Sequence, residues 1–248
     1  MILADRTDNI LLLTLNRPEK RNSLHPEMIS ALSEALDVAG ADEKVSVAVI
    51  TGTGPVFCAG LDLNHLLSLD IDDKVKYLKQ VFSLFRRIYE LPQPVIAAIN
   101  GPAMAGGFDL SAFCDLRYCV PEAKFAQTEV LLGLTQIMFP LYKVIGLGRA
   151  KELALTGEAI PAEEAFRIGL VNRIFSSDDL LPEVMKIAGT LASRPTQALF
   201  ETKRLSRELI DMDTDSALRL MLTTIIERLG SDEHRAEAER FVAKLKSR

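Results

Sequence analysis

An apolar run, Pro94-Val95-Ile96-Ala97-Ala98-Ile99, leads directly into Asn100 to Asp115, NGPAMAGGFDLSAFCD. The run reads as a short buried strand. Phe108-Asp109-Leu110-Ser111-Ala112-Phe113 has helical character, so the chain must pass from strand to helix through small residues. Gly106 and Gly107 sit where that helix should begin. A helix start leaves backbone N–H groups without internal partners, and its dipole favours negative charge. Glycine lets a ligand oxygen approach such N–H groups closely. Asp109 then places a carboxylate beside a candidate anion hole. The same stretch also reads as a tight turn with a solvated Asp, and these residues alone leave both readings open.

The 248 residues suit one large domain, or one domain with a small appendage. Hydrophobic residues make up 48 %, which supports a substantial core and argues against disorder. Lys+Arg 29 against Asp+Glu 34 gives a net charge of −5, unlike the basic footprint of a nucleic-acid binder. The start, MILADRTDNILLLTLNRP, lacks a basic segment followed by a long apolar core, so no signal peptide is expected. No apolar stretch approaches the ~18 residues of a membrane span. Cys58, Cys114 and Cys119 form no CxxC pair. They read as reduced thiols of a cytoplasmic protein, without a metal site.

In chain order, Ile10 to Asn16 and Val45 to Thr51 read as strands, and Pro26 to Ala39 as a helix stopped at Gly40. The connection Arg17-Pro18-Glu19-Lys20-Arg21-Asn22-Ser23 reads as a solvated turn or a phosphate contact. Gly52-Thr53-Gly54 lacks the third glycine of a dinucleotide fingerprint, and Pro55 follows where a helix should open. A long helix is expected from Asp72 to Leu91 and a strand from Leu116 to Val120. Short helices are expected over Lys143–Gly148, Arg149–Thr156 and Pro161–Ile168. From Asp178 onward helical periodicity and dense charge dominate. This predicts a core over 1–177 and a helical region over 178–248.

Two loops, around Ala59-Gly60-Leu61 and Ala105-Gly106-Gly107, each follow a strand and can each offer an N–H. Two N–H groups converging on one carbonyl oxygen make an oxyanion hole. Asp109 and Glu129 lie on small-residue or apolar segments rather than in charge runs. Burial can push the pKa values of such a pair apart, so that one acts as acid and the other as base. A solvated Asp on a helix is the plainer alternative.

The pieces LNRPEKRNSL, GPVFCAGLDL, PVIAAINGPAMAGGFDLSAFCDLRYC, FAQTEVLLGL and LTGEAIPAEEAFRIGLVNRI resemble the crotonase (enoyl-CoA hydratase/isomerase) superfamily, in order, across residues 10–175. The resemblance implies an α/β fold: a crotonase-like spiral of ββα units followed by C-terminal helices, built into homotrimers or hexamers. It implies an acyl-CoA thioester substrate, an enolate-like intermediate, and no cofactor beyond the CoA of the substrate. It puts the oxyanion-hole N–H groups on Leu61 and Gly106, and the two carboxylates of a hydratase on Asp109 and Glu129. It puts CoA contacts at Lys20, Arg21, Ala59, Asp62 and Leu63. RNA binding, a side role in the family, finds no support in the net charge of −5.

Three departures qualify the expected reaction. Asp109 stands where hydratases carry Glu, one methylene longer. Leu134-Thr135-Gln136-Ile137-Met138-Phe139-Pro140-Leu141 replaces a glycine-rich turn and resembles enoyl-CoA isomerases, which use one carboxylate at the Glu129 position. Dienoyl-CoA isomerases share the Asp, but their additional aspartate falls on Ile137. Both carboxylate positions remain ionisable, so enoyl-CoA hydration is the leading expectation. Double-bond isomerisation through Glu129 is the alternative, and a non-catalytic acyl-CoA binder is a third.

Overall fold

In the computed structural model, which describes residues 1–246, the chain opens with an antiparallel hairpin. Its strands are β1 (Ile2–Thr7) and β2 (Ile10–Leu15). The sequence reading misses β1, because this edge strand carries Asp5 and Arg6 and lies mostly exposed. Charged side chains on an edge strand discourage pairing with another chain. Helix α1 (Pro26–Ala41) follows, with proline at its first position and Met28, Ile29, Leu32, Leu36 and Ala39 buried.

Strand β3 (Val47–Gly52) then lies parallel to β2. It leads through a parallel bridge between Cys58 and Ala103 to α2 (Leu63–Ser68) and α3 (Ile71–Glu90). Helix α2 is absent from the sequence reading. Its six residues carry too little periodicity, and its visible signal is Asp62, whose carboxylate accepts from the His65 N–H.

The pattern repeats with β4 (Val95–Ile99), β5 (Ala103–Met104) and α4 (Gly106–Phe113), then with β6 (Leu116–Cys119) and β7 (Lys124–Ala126). A kinked helix, α5 (Leu141–Thr156), follows. The two short helices read from the sequence form this one element, broken at Gly146 (φ 78°, ψ 155°). Strand β8 (Ile160–Pro161), helix α6 (Ala162–Arg167) and strand β9 (Arg173–Ile174) finish the spiral. Four helices close the chain: α7 (Leu180–Ala192), α8 (Thr196–Glu208), α9 (Thr214–Leu229) and α10 (Asp232–Lys246).

The turns that start with β4 and β6 thus lay one strand in each of two sheets, while the β3 turn reaches the smaller sheet only through the Cys58–Ala103 bridge. The larger sheet has the order β1-β2-β3-β4-β6-β9, parallel except for the hairpin; the smaller has the order β5-β7-β8. Strands β3 and β4 are continuous apolar runs because they are buried on both faces. Within the C-terminal region, α7 packs on β2, β3, β4 and β6, and its Leu180, Val184 and Ala188 join the main core. Helices α9 and α10 instead leave Leu218, Leu222, Ile225, Ile226 and Phe241 exposed. No helix among the described residues is long and apolar enough to cross a membrane.

Two buried cations hold the C-terminal end of α4. The Arg117 guanidinium donates to Ser111 O (3.3 Å), Cys114 O (2.5 Å) and Leu170 O (2.6 Å). Lys203 Nζ, brought in by α8, meets Asp115 Oδ2 at 2.7 Å and donates to Gln93 O at 2.9 Å. The same Asp115 oxygen accepts from the Val95 N–H, so the start of β4, the end of α4 and α8 share one junction. Removing one partner of a buried pair strands the other. Asp115 keeps 27 % of its side chain exposed and its bond to the Val95 N–H, so Lys203→Met should cost about 1–3 kcal/mol in urea unfolding. The Lys203→Met/Asp115→Asn double variant keeps the acceptor for Val95 without the charge, and should recover more than half of that loss.

Candidate active site

Three loops are laced together by their backbones. The Ala59 N–H donates to Arg21 O (3.0 Å), Leu24 N–H to Gly60 O (2.8 Å), and Met104 N–H to Cys58 O (2.9 Å). Leu24 and Leu61 form a parallel bridge that uses the Gly60 carbonyl, so the Leu61 N–H faces away from Leu24. Gly106 opens α4, and its N–H belongs to the first turn, where helices lack internal acceptors. Neither of these two N–H groups has a partner among the described residues. A β-carbon on Gly60 would lie 3.0 Å from Gly106 N, and one on Gly106 would lie 3.7 Å from Leu61 Cδ2. Leu61 and Gly106, assigned to one hole from the sequence, are therefore neighbours. Ala105 between the small sheet and α4 holds φ 49°, ψ −127°, pinned by its N–H donating to Ala126 O at 2.8 Å.

Asn22, which the sequence reading passes over, is fully buried and organises the first loop. Its amide accepts from the Arg17 N–H (2.9 Å) and donates to Thr53 O (2.9 Å) and Val56 O (2.8 Å). Lys20 and Arg21 stand exposed on the same loop. Ala59 is half-buried and Leu63 exposed. The Asp62 carboxylate is engaged within the chain: it meets Arg17 Nη1 at 2.7 Å and caps α2. Burial pushes its pKa up, but the Arg17 hydrogen bond, the His65 N–H and the Arg17 charge outweigh that push, and the net shift is downward. Lys20, Arg21, Ala59, Asp62 and Leu63 thus line or support the loops beside the two N–H groups.

Asp109 lies on α4 one turn past Gly106 and is only 2 % exposed. Its Oδ1 accepts from Gln127 Nε2 at 2.9 Å. The second amide hydrogen of Gln127 goes to Ile137 O at 2.8 Å. Glu129 starts a short 3-10 turn, Glu129–Leu132, and is half-buried. Burial, then the neighbouring Glu129 charge, raise the Asp109 pKa well above its ordinary value, against the Gln127 bond. Burial raises the Glu129 pKa too, opposed by its own N–H and by the Gln136 amide. The structure therefore brings Asp109 and Glu129 into one electrostatic site. Gln127 and Gln136 complete it; the sequence reading singles out neither. Gln127 directly follows β7, and nothing in its local sequence marks it as the partner of Asp109.

Other polar groups show less coupling to this chemistry. Cys58 and Cys114 are buried free thiols whose pKa values burial pushes up to about 12. Among the described residues, no group of three His, Cys, Asp or Glu is arranged to hold a metal ion.

The raised Asp109 pKa carries a stability cost with a definite sign. Between the unfolded value near 3.8 and the higher folded value, the folded chain binds more protons than the unfolded chain. Folding stability attributable to this group therefore falls as pH rises through that window. Asp109→Asn should raise the Tm at pH 7 by about 2–4 °C per kcal/mol recovered. The gain should vanish below about pH 4, where the carboxyl is protonated in both states. Thermal scans at the two pH values give the comparison; an equal gain at both would contradict a charge-burial cost.

The enoyl-CoA hydratase/isomerase family model matches residues 5–248. A crotonyl-CoA hydratase of Syntrophomonas wolfei is 35 % identical over 223 residues, covering 88 % of this chain and 86 % of that protein. A 2,3-dehydroadipyl-CoA hydratase of Escherichia coli is 33 % identical over 213 residues, covering 84 % and 82 %. Among solved structures, an enoyl-CoA hydratase from Bacillus anthracis superposes with a TM-score of 0.95 at 30 % identity, covering 98 % and 96 % of the two chains. Match and superposition run through the spiral and the closing helices alike, and the chain belongs to the enoyl-CoA hydratase/isomerase family of the crotonase superfamily.

Proposed function

We propose that this protein hydrates the double bond of a 2-enoyl-CoA thioester. One observation carries the reading: a single amide, Gln127, ties Asp109 into the site it shares with Glu129, one helical turn from the paired Leu61 and Gly106 N–H groups. The thioester oxygen accepts from both N–H groups, which stabilise the negative charge that grows on it as the enolate forms. One carboxylate takes a proton from the attacking water, and the other, protonated, gives its proton to Cα. The water oxygen bonds to Cβ, and the enolate collapses as Cα takes the proton. Lys20, Arg21, Ala59, Asp62 and Leu63 hold the CoA portion, the two cations acting on its phosphates. The chemistry needs no metal or redox group; CoA arrives as part of the substrate. The net charge of −5 supports the small-molecule reading over nucleic-acid binding.

A second reading rests on the burial of Asp109. At 2 % exposure, with one oxygen clamped by Gln127, this carboxyl is withdrawn, while the half-buried Glu129 stays within reach of solvent. One reachable carboxylate suffices to move a double bond, because it can remove a proton from one carbon and return it to another. Asp109→Asn and Glu129→Gln separate the two reactions. Hydration of crotonyl-CoA should lose a factor on the order of 100 or more in kcat in both variants. Double-bond migration in a 3-enoyl-CoA that survives Asp109→Asn and is lost in Glu129→Gln, with no hydration of crotonyl-CoA by the wild-type protein, would replace the hydratase reading with the isomerase.

The exposed apolar residues of α9, Leu218, Leu222, Ile225 and Ile226, recur at helical spacing and support a homotrimer or a dimer of trimers. Sedimentation at micromolar concentration should give a trimer or hexamer; a monomer would contradict this assembly.

A further inference from the structure

A parallel bridge is ordinarily closed by two backbone hydrogen bonds, one on each side of the paired residue. Between Leu24 and Leu61 the first is in place, from the Leu24 N–H to Gly60 O at 2.8 Å. The second would run from the Asp62 N–H to Leu24 O, and no backbone bond joins those two groups among the described residues. A phenol stands in its place. Tyr77, on α3, donates its hydroxyl to Leu24 O and accepts from the Asp62 N–H at 3.2 Å. Tyr77 is only 2 % exposed, and its ring meets the His65 ring edge-on, with centroids 5.3 Å apart. Burial pushes its pKa up to about 12, so the hydroxyl keeps the proton it donates.

We propose that Tyr77 is a positioning residue for the oxyanion hole: its hydroxyl, inserted between Leu24 O and the Asp62 N–H, sets the direction of the Leu61 N–H. The inference deepens the proposed function and rests on its assignment of Leu61 to the hole. Leu61 lies between two planar peptides. In the first, Leu24 holds the Gly60 carbonyl, and the Leu61 N–H of the same plane points the opposite way. In the second, Tyr77 holds the Asp62 N–H. The two tethers together restrict both backbone angles of Leu61. Gly60 cannot do this alone, because a glycine at φ 91° is the most permissive of residues. The loop itself is anchored without the phenol, since the Asp62 carboxylate meets Arg17 Nη1 at 2.7 Å and accepts from the His65 N–H at 3.2 Å. What the hydroxyl adds is spacing. Without it, Leu24 O and the Asp62 N–H either close on each other to form the ordinary bond or lose their partners. Either change moves Leu61 relative to Gly106.

Tyr77→Phe keeps the ring and removes only the hydroxyl. Hydration of crotonyl-CoA should fall roughly tenfold in kcat, less than the ~100-fold of losing a hole donor outright, with KM within about threefold. The direct readout is the infrared stretch of butyryl-CoA labelled with 13C at the thioester carbonyl, a saturated ligand that cannot be hydrated. Hydrogen bonds to the oxygen lower this stretch. Bound to the wild-type protein, the band should lie below its position in water. Bound to Tyr77→Phe, it should keep only about half of that shift, because one of the two donors is re-aimed. A Tyr77→Phe protein that keeps the wild-type band, whatever its Tm or KM, would leave the phenol a packing group and overturn the proposal. A wild-type protein that binds butyryl-CoA without shifting its carbonyl band would overturn the oxyanion-hole reading itself, and with it the role of Tyr77.

Discussion

Backbone pressed against backbone is the constraint on which the site depends. A β-carbon on Gly107 would fall 2.2 Å from Cys58 O, well inside any permitted contact. Gly60 adds a second requirement, since its φ of 91° lies where only glycine is relaxed. With these two residues the loop after β3 and the turn before α4 can touch, which brings Leu61 and Gly106 into neighbouring positions. Side chains could not supply donors with the same rigidity, because each carries rotamers that must be frozen. Ala105 shows the strain this contact stores. It holds φ 49°, ψ −127° only because its N–H is fixed to Ala126 O and its neighbours on both sides are locked into the sheet and the helix.

Helix α4 works from both ends. Its N-terminus presents an unpartnered N–H where the thioester oxygen is proposed to sit, and its C-terminal carbonyls at Ser111 and Cys114 accept from the buried Arg117. A cation at the C-terminus and an anion at the N-terminus both stabilise the same helix dipole. The fully buried guanidinium has no carboxylate in contact; carbonyl oxygens satisfy it, and burial lowers its pKa. The positive charge thereby stays fixed in a dry core, where it is screened less than at a surface. Lys203 reaches the same end of α4 from α8, so the C-terminal helices contribute to the spiral core as well as covering it.

What could be read in the sequence follows from what kind of interaction carries each feature. Strands β3 and β4 are continuous apolar runs and α3 has a strong apolar stripe, so periodicity locates them to within two residues. The glycine-bearing loops announce themselves because few other residues tolerate such turns. Asp109 and Glu129 stand out as carboxylates in apolar surroundings. By contrast, β1 pairs along an exposed edge, and α2 is too short for a pattern. Asn22, Arg117 and Lys203 reach partners 31, 53 and 110 positions away, and Gln127 reaches Asp109 18 positions away; no local signal announces such partners. The exception is Gln136, whose main partner is only nine positions off, and which hides in a segment whose composition reads as an apolar loop.

The substitution of Asp for Glu gains its meaning from this polar cluster. Asp109 Oδ2, Gln127 Oε1, Glu129 Oε2 and Gln136 Oε1 are all buried and accept nothing from the described residues. The two amides spend donors on main-chain carbonyls, Gln127 on Ile137 O and Gln136 on Gln127 O, and this turns their oxygens toward places where no donor waits. Acceptors therefore outnumber donors in a volume of low dielectric, the condition under which a carboxyl keeps its proton. A Glu at position 109 would extend one methylene further and leave less room between the carboxyls. The shorter Asp stays close to its own helix, within reach of Gln127, and is the more deeply buried of the two acids. Of the two carboxyls, Asp109 is thus the one more strongly driven to hold its proton, and Glu129 the one nearer solvent. The contrast between the two acids comes from burial and the Gln127 hydrogen bond, not from any difference in the intrinsic acidity of the groups.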